Sequence, residues 1–239
     1  MILNSVGPRS AVSDVKASPG ARTKSEWRSE MKRRLSLLIS QDAPARRSRI
    51  TSAVAKIVSS RSGIWLAFSA QADEPDVSAL HNSSAEFAFP RITHSGAARA
   101  EMSFHVWDGP LETRTWIKHA HGFREPDISD ERWNQVAKKD IVGALIPGLG
   151  FDRRLRRLGR GGGYYDRFLE VNQYLKVGVG FSDQLVDELP TEGHDVGLDV
   201  IVTDREVIWN LACTGFRAPE VSGDRAAAEG GERAAEGLK

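Results

Sequence analysis

A chain of 239 residues, 40% hydrophobic and 27% charged, has ordinary globular composition and is long enough to bury the core of one moderate domain. Its 33 Lys and Arg against 32 Asp and Glu leave a net charge of +1, which removes any whole-protein electrostatic reason to expect a nucleic-acid partner. The only cysteine, Cys213, cannot close an internal disulfide, and no apolar run approaches the roughly 20 residues of a membrane helix. A reducing, cytoplasmic setting without a membrane partner is expected.

Residues 1–22 are rich in Ser, Pro and Gly and lack the continuous apolar stretch of a secretory signal. Arg9, Lys16 and Arg22 among serines leave an organellar transit peptide as the alternative to a disordered extension. Residues 213–239 read as a second disordered tail, almost without apolar anchors from 222 onward. The folded unit is therefore expected at 23–212. The sequence does not set its oligomeric state, and a monomer is the starting expectation.

That unit opens on helical periodicity, with Trp27, Met31, Leu35 and Leu38 on one face and Lys24, Arg28 and Lys32 together on another. Asp42 then caps a second helix, with Pro44 in its first turn and Ile50, Val54, Ile57 and Val58 as its apolar stripe. Strands are expected at 64–68 and 86–89 around a short helix near 77–81, then at 101–106, 141–146, 176–181 and 200–203. Helices are read at 163–172 and, on fewer apolar positions, at 130–138. Alternating strands and helices predict an α/β fold, a three-layer α/β/α sandwich around a largely parallel sheet preceded by two helices. Ligands collect at the carboxyl ends of such strands, so the loop after 141–146 is the place to search.

Residues 146–171 read IPGLGFDRRLRRLGRGGGYYDRFLEV, a concentration of Gly, Arg and Asp between an apolar strand and an amphipathic helix. Gly161, Gly162 and Gly163 let backbone amides approach an anion, the helix that follows aims its N-terminus at it, and Arg157 and Arg160 add charge. Consecutive glycines also make plain tight turns. The string lacks the Lys-Ser or Lys-Thr ending of a P-loop, and a tyrosine stands where the dinucleotide fingerprint has its last glycine.

RLGRGGGYYDRFL at 157–169, with PGLGFD at 147–152, resembles the signature of the 5-formyltetrahydrofolate cyclo-ligase family. The likeness extends back through GFREP at 122–126, MSF at 102–104 and FPR at 89–91, and forward through VGVGFSDQLVDELPTEGHDVGLDVIVTD at 177–204. It covers about 24–204. The resemblance implies an ATP-dependent ligase in which the formyl oxygen of 5-formyltetrahydrofolate attacks the γ-phosphate. N10 then attacks the activated carbon, and phosphate leaves to give 5,10-methenyltetrahydrofolate. Such chemistry needs stabilised charge on a transferring phosphoryl group and two reactive groups held close.

Carried over position by position, Lys24 and Arg28 correspond to a pair that contacts ATP phosphates, where the residue-level alternative is a solvated basic face. Arg157, Leu158, Gly159, Arg160, Gly161, Gly162, Gly163, Tyr164 and Tyr165 correspond to the nucleotide loop. Arg160, Gly161, Gly162, Gly163 and Tyr164 also lie against folate, with Arg160 and Tyr164 as catalytic residues. Asp166 and Asp195 correspond to magnesium ligands, since a carboxylate beside phosphate calls for a cation between them; for Asp166 the alternative is helix-surface pairing. Glu74 corresponds to a pterin-binding glutamate and Phe68 to an apolar substrate contact. Phe104 and Trp107 are candidates for stacking, though strand aromatics are commonly core. His119 with His121 lacks further zinc ligands at suitable spacing, and His194 beside Asp195 is a weak candidate base. Asp152 is expected to orient the loop. The pattern departs at Leu155, where the family has glycine, and leucine takes positive φ poorly.

Overall fold

The computed structural model describes residues 2–6, 22–38, 43–82, 85–93, 101–119, 122–169 and 174–210. Asp42, His121 and Cys213 lie outside these residues. Helix α1 (Lys24–Leu38) starts at a reciprocal cap, the Glu26 N–H donating to Thr23 Oγ1 (3.2 Å) and the Thr23 N–H to Glu26 Oε2 (2.7 Å). Of its expected stripe, Met31 and Leu35 are buried and Trp27 packs beside them. Helix α2 (Ala43–Val58) buries Ile50, Val54, Ile57 and Val58. No helix of the described residues is long and apolar enough to cross a membrane.

The main sheet is nine-stranded and mixed, with a parallel centre. That centre contains β2 (Ile64–Leu66), β3 (Glu86–Thr93), β8 (Ile141–Pro147), β11 (Leu175–Val179) and β13 (Val200–Val202), in the order β13-β11-β8-β2-β3. On one side β4 (Glu101–Trp107) and β7 (Trp133–Gln135) add antiparallel strands. On the other, β14 (Glu206–Asn210) pairs antiparallel with β13, and β1 (Ile2–Val6) runs parallel to β14 at the edge. This edge strand falls within the stretch 1–22 read as an extension. Two smaller sheets complete the fold: β5 (Trp116–Lys118) with β6 (Arg124–Pro126), and β9 (Gly150–Asp152) between β10 (Arg157–Leu158) and β12 (Leu185–Val186).

Strand alternation sorts the core into two layers. Trp65, Phe87, Leu145, Val177, Val200 and Trp209 pack with α1 and α2. Their neighbours Leu66, Ala88, Ala144, Ile201 and Ile208 face the opposite side, joined by Phe151, Leu155, Leu198 and Leu169 of α3 (Tyr164–Leu169). The α/β/α expectation is met, with a second outer layer made largely of loop.

Two expected helices are corrected. The stretch 77–81 forms a 3-10 turn, Ser78–Asn82. The stretch 130–138 holds strand β7 and the start of a 3-10 turn, Lys138–Asp140. Trp133 explains the second: it is buried against Phe89, Trp107 and Trp116, and its Nε1 donates to the Thr115 carbonyl (2.9 Å). Pairing with β4 and aromatic packing outweigh a weak helical preference.

Candidate active site

The carboxyl ends of β2, β3 and β8 open on a cavity of about 440 Å³. Its wall includes Phe68, Pro90, Ile92, Met102 and Phe123, and its polar groups include Gln71, Glu74, Arg157, Arg160 and Tyr164. The loop between β8 and α3 forms another side, through Pro147, Gly148, Gly159, Gly162, Gly163 and Tyr165.

The first part of that loop is fixed by buried polar bonds. Asp152 is fully buried; its Oδ1 accepts the N–H groups of Arg154 (2.9 Å) and Arg156 (3.1 Å), and its Oδ2 accepts Arg156 Nε (2.6 Å) and the Leu189 N–H (2.9 Å). Buried Gln184 donates to the carbonyls of Gly148 (2.6 Å) and Leu149 (3.3 Å). Leu155 takes φ 63°, the only positive φ at a non-glycine among the described residues, with its side chain buried in the second core layer. The turn expected of glycine is thus kept with leucine, held by side-chain burial and by the Leu198 N–H on its carbonyl (2.8 Å).

The second part is open. Gly161 and Gly163 take φ 108° and 63°, conformations that glycine adopts freely. Backbone N–H groups from Gly159 to Gly163 find no acceptor among the described residues. A Cβ at Gly159 would sit 3.0 Å from Arg157 Nη1, and one at Gly162 would sit 2.5 Å from the Tyr164 ring, so both side chains lie directly on the glycine backbone. The described α3 has only six residues, so the anion-facing groups are these amides more than a helix dipole.

Cations and carboxylates meet in pairs around the loop. Arg28 Nε donates to the Gly159 carbonyl (3.0 Å), and its guanidinium lies beside Gly161. Lys24 Nζ contacts Asp195 (2.7 Å) and Glu192 (3.1 Å). Arg157, nearly buried, donates to Asp166 Oδ1 (2.8 Å) and to the Pro147 carbonyl (3.3 Å), while its Nε is buried without a partner among the described residues. Arg160 donates to Glu74 Oε1 (3.0 Å) and also contacts Asp73. Burial pushes the Glu74 pKa up, against the opposing pull of the Arg160 charge. Burial likewise raises the Tyr165 hydroxyl. At Arg160 burial acts against the charge, and Glu74 and Asp73 more than offset it, leaving the pKa raised.

The structure therefore brings Phe68, Glu74, Arg157, Gly159, Arg160, Gly162, Gly163, Tyr164 and Tyr165 to one cavity. Lys24, Arg28, Gly161, Asp166 and Asp195 are outside that lining, Arg28 and Asp166 touching the loop at Gly159 and Arg157 and Asp195 touching Lys24, and Leu158 is core. Phe104 and Trp107 are core side chains outside the cavity lining. His119 stacks on Phe123 (4.5 Å), and the exposed His194 sits 3.3 Å from Glu192. Phe123, Ile92, Met102, Ser69, Gln71 and Lys32 line the cavity without having been read as site residues.

Asp195, Glu192 and His194 place ligand atoms within 4.8 Å of one another, whereas Asp166 joins no such cluster among the described residues. Hard carboxylate oxygens at Asp166 and Asp195 suit Mg²⁺, which takes one or two protein carboxylates and completes its shell with phosphate and water.

The site thus joins, on an α/β scaffold, loop amides without acceptors among the described residues, flanking cations and a cavity with many apolar lining residues at the strand ends. The family model described as the 5-formyltetrahydrofolate cyclo-ligase family matches residues 21–204, and the chain belongs to that family. The 5-formyltetrahydrofolate cyclo-ligase of Mycolicibacterium smegmatis is 33% identical over 105 residues, 43% of this chain and 53% of that protein. That of Saccharomyces cerevisiae is 26% identical over 212 residues, 78% of this chain and 98% of that protein. An NMR structure of Aquifex aeolicus 5,10-methenyltetrahydrofolate synthetase aligns with TM-score 0.61 and 26% identity, covering 84% of this chain and 99% of that one. The chain spans about half the length of the first curated relatives that it matches (53% and 46%).

Proposed function

We propose that the protein closes 5-formyltetrahydrofolate to 5,10-methenyltetrahydrofolate with Mg-ATP, releasing ADP and phosphate. The observation that carries this reading is the joint cavity: glycine amides without acceptors among the described residues, cations, apolar side chains and the buried Glu74 carboxylate share one wall. In the reaction the formyl oxygen bonds to the γ-phosphorus while the bond to ADP breaks. N10 then bonds to the formyl carbon, phosphate takes the C–O electron pair, and loss of the N10 proton completes the methenyl bridge.

Each residue has a task in that sequence. Glu74 accepts hydrogen bonds from the amino-pyrimidine edge of the pterin, which Phe68, Ile92 and Phe123 enclose. The loop amides from Gly159 to Gly163 take phosphate oxygens, and Lys24, Arg28 and Arg157 supply charge. Arg160 and Tyr164, which both line the cavity, are the catalytic residues, Arg160 stabilising charge on the transferring group. Asp166 and Asp195 would hold Mg²⁺, which neutralises phosphate charge when bound. Their present partners, Arg157 and Lys24, are the cations that phosphate would engage, so bringing in both cation and anion exchanges partners without stranding a charge. The carboxylate–guanidinium pair of Glu74 and Arg160 is likewise replaced by pterin on one side and phosphate on the other. The setting proposed for this work is the cytoplasm.

Incubating the purified chain with 5-formyltetrahydrofolate and Mg-ATP should produce the near-ultraviolet absorbance of the methenyl product with one ADP per turnover. Folded protein that gives no such signal, or equal turnover with a chelator present, would count against the assignment. Folate binding without turnover would instead favour a relative that keeps the fold and acts on another substrate.

A further inference from the structure

Glu74 and Arg160 are opposite charges lining one cavity, and in this structure they pair with each other. Glu74 is buried: its Oε2 accepts the Gln71 N–H (2.9 Å), and its Oε1 accepts both Arg160 Nε (3.1 Å) and Nη2 (3.0 Å). The same Nη2 also reaches Asp73, which is more exposed. A guanidinium offers a carboxylate two neighbouring N–H donors, and an amino-pyrimidine edge offers the same. A ligand edge that needs both oxygens of Glu74 must therefore displace Arg160 from Oε1. Phosphate, in turn, must draw Arg160 away from Glu74.

We infer that the Glu74–Arg160 pair couples the two substrates, so that folate and ATP each bind more tightly when the other is in place. This rests on the functional reading above, in which pterin takes Glu74 and phosphate takes Arg160. Folate arriving alone strands the guanidinium with Asp73 and water. ATP arriving alone strands a buried carboxylate, and burial already works against that charge. The second ligand meets the charge that the first left behind, so the cost of opening the pair falls once for both. Linkage then requires the same factor in both directions. As a consequence ATP is held weakly until folate is present, which disfavours transfer of its phosphate to water.

The test is calorimetric titration with 5-formyltetrahydrofolate and with the magnesium complex of the β,γ-imido analogue of ATP, which blocks turnover. In wild type the Kd of each should fall about tenfold when the other is saturating, by the same factor both ways. Glu74→Gln and Arg160→Gln each leave no pair to open, so in both the factor should drop to near one, however far either affinity itself moves. Asp73→Asn removes a carboxylate that pterin does not take, and the coupling should persist. Coupling that arose from direct contact between neighbouring ligands would survive in Glu74→Gln and Arg160→Gln, and that result would overturn the inference. So would independent binding in wild type, or a loss of coupling in Asp73→Asn as complete as in Glu74→Gln. Wild type that binds neither ligand would instead overturn the functional reading on which this stands. Melting curves check that the variants are folded.

Discussion

The loop that follows β8 has two parts of opposite character. Residues 148–158 contain side chains fixed in the interior: Asp152 takes all its hydrogen bonds internally, and Phe151 sits so tightly that a Cβ at Gly148, Gly178 or Gly180 would come within 2.9 Å of its ring. Residues 159–163 are glycine-rich, partly exposed and short of acceptors for their amides. Arg157 bridges the two, with its stem on the fixed part and its guanidinium on Asp166. The difference shows how an adaptable anion loop is held in register: its flexibility is confined to a few glycines anchored on a polar framework that needs no ligand. Substitutions in the first part should therefore cost stability, and those in the second should cost turnover.

The largest expected effect is in the framework. Asp152→Ala removes a buried carboxylate that four donors share and takes from Arg156 its buried partner, leaving it only the exposed Glu188 (3.2 Å). Loss of a partner from such a pair costs on the order of 3 kcal/mol, to be read as a shift in denaturant midpoint with unchanged slope. If the variant were as stable as wild type but inactive, the division drawn here would fail.

In the open part, Arg160→Gln should lower the melting temperature less than Asp152→Ala does, since Asp73 is partly exposed and buried Glu74 keeps the Gln71 N–H and can take up a proton. Turnover should fall by a factor corresponding to about 2 kcal/mol, and added magnesium should not recover it. Asp166→Asn should behave differently, with weaker apparent magnesium affinity that high magnesium partly restores. Turnover measured against magnesium concentration for wild type and both variants separates the two roles. Wild-type magnesium dependence in Asp166→Asn would reduce that aspartate to a partner for Arg157.

Glu74 sharpens the comparison through pH. Burial raises its pKa above the ordinary 4.5, so the group takes up its proton at a higher pH than a free glutamate would. As pH falls it becomes neutral and loses the charge that holds the pterin edge. The acid limb of kcat/KM for folate should therefore lie above pH 4.5, and Glu74→Gln should flatten that limb while lowering the plateau. An acid limb that Glu74→Gln leaves in place would assign it to another group.

Much of this framework was legible because it follows periodicity. The stripes Met31, Leu35 and Ile50, Val54, Ile57 announce α1 and α2, and the buried runs at 141–146 and 200–203 announce central strands. What periodicity could not show was pairing that depends on distant partners. β9, β10 and β12 are two or three residues long and exist because Phe151 and Asp152 meet Arg157 and Val186 across the fold. β7 is a strand because Trp133 joins an aromatic cluster assembled from other strands. The site was legible in its glycine loop, whose composition is local. Its apolar wall was less so: Ile92, Met102 and Phe123 come from separate strands and a loop, and ordinary apolar side chains do not announce that they face a cavity. The segments around them, FPR, MSF and GFREP, carried a family likeness that pointed to the site without stating why.

The smallest difference expected lies between two variants at one position, Leu155, where rule and exception join. Its φ of 63° lies where an L side chain costs about 1 to 2 kcal/mol, yet the leucine side chain is almost fully buried. Leu155→Ala keeps the backbone penalty and loses the packing, for a cost of about 2 to 5 kcal/mol. Leu155→Gly loses nearly the same packing but removes the steric penalty of the left-handed turn. Glycine should thus be the more stable of the two by about 1 kcal/mol, the reverse of the order found in helix and strand interiors, where alanine is favoured over glycine by a similar amount. Denaturant unfolding of both variants measures the gap directly. If alanine proved the more stable, the strain inferred at this turn would be absent, and the leucine would be there for its packing alone.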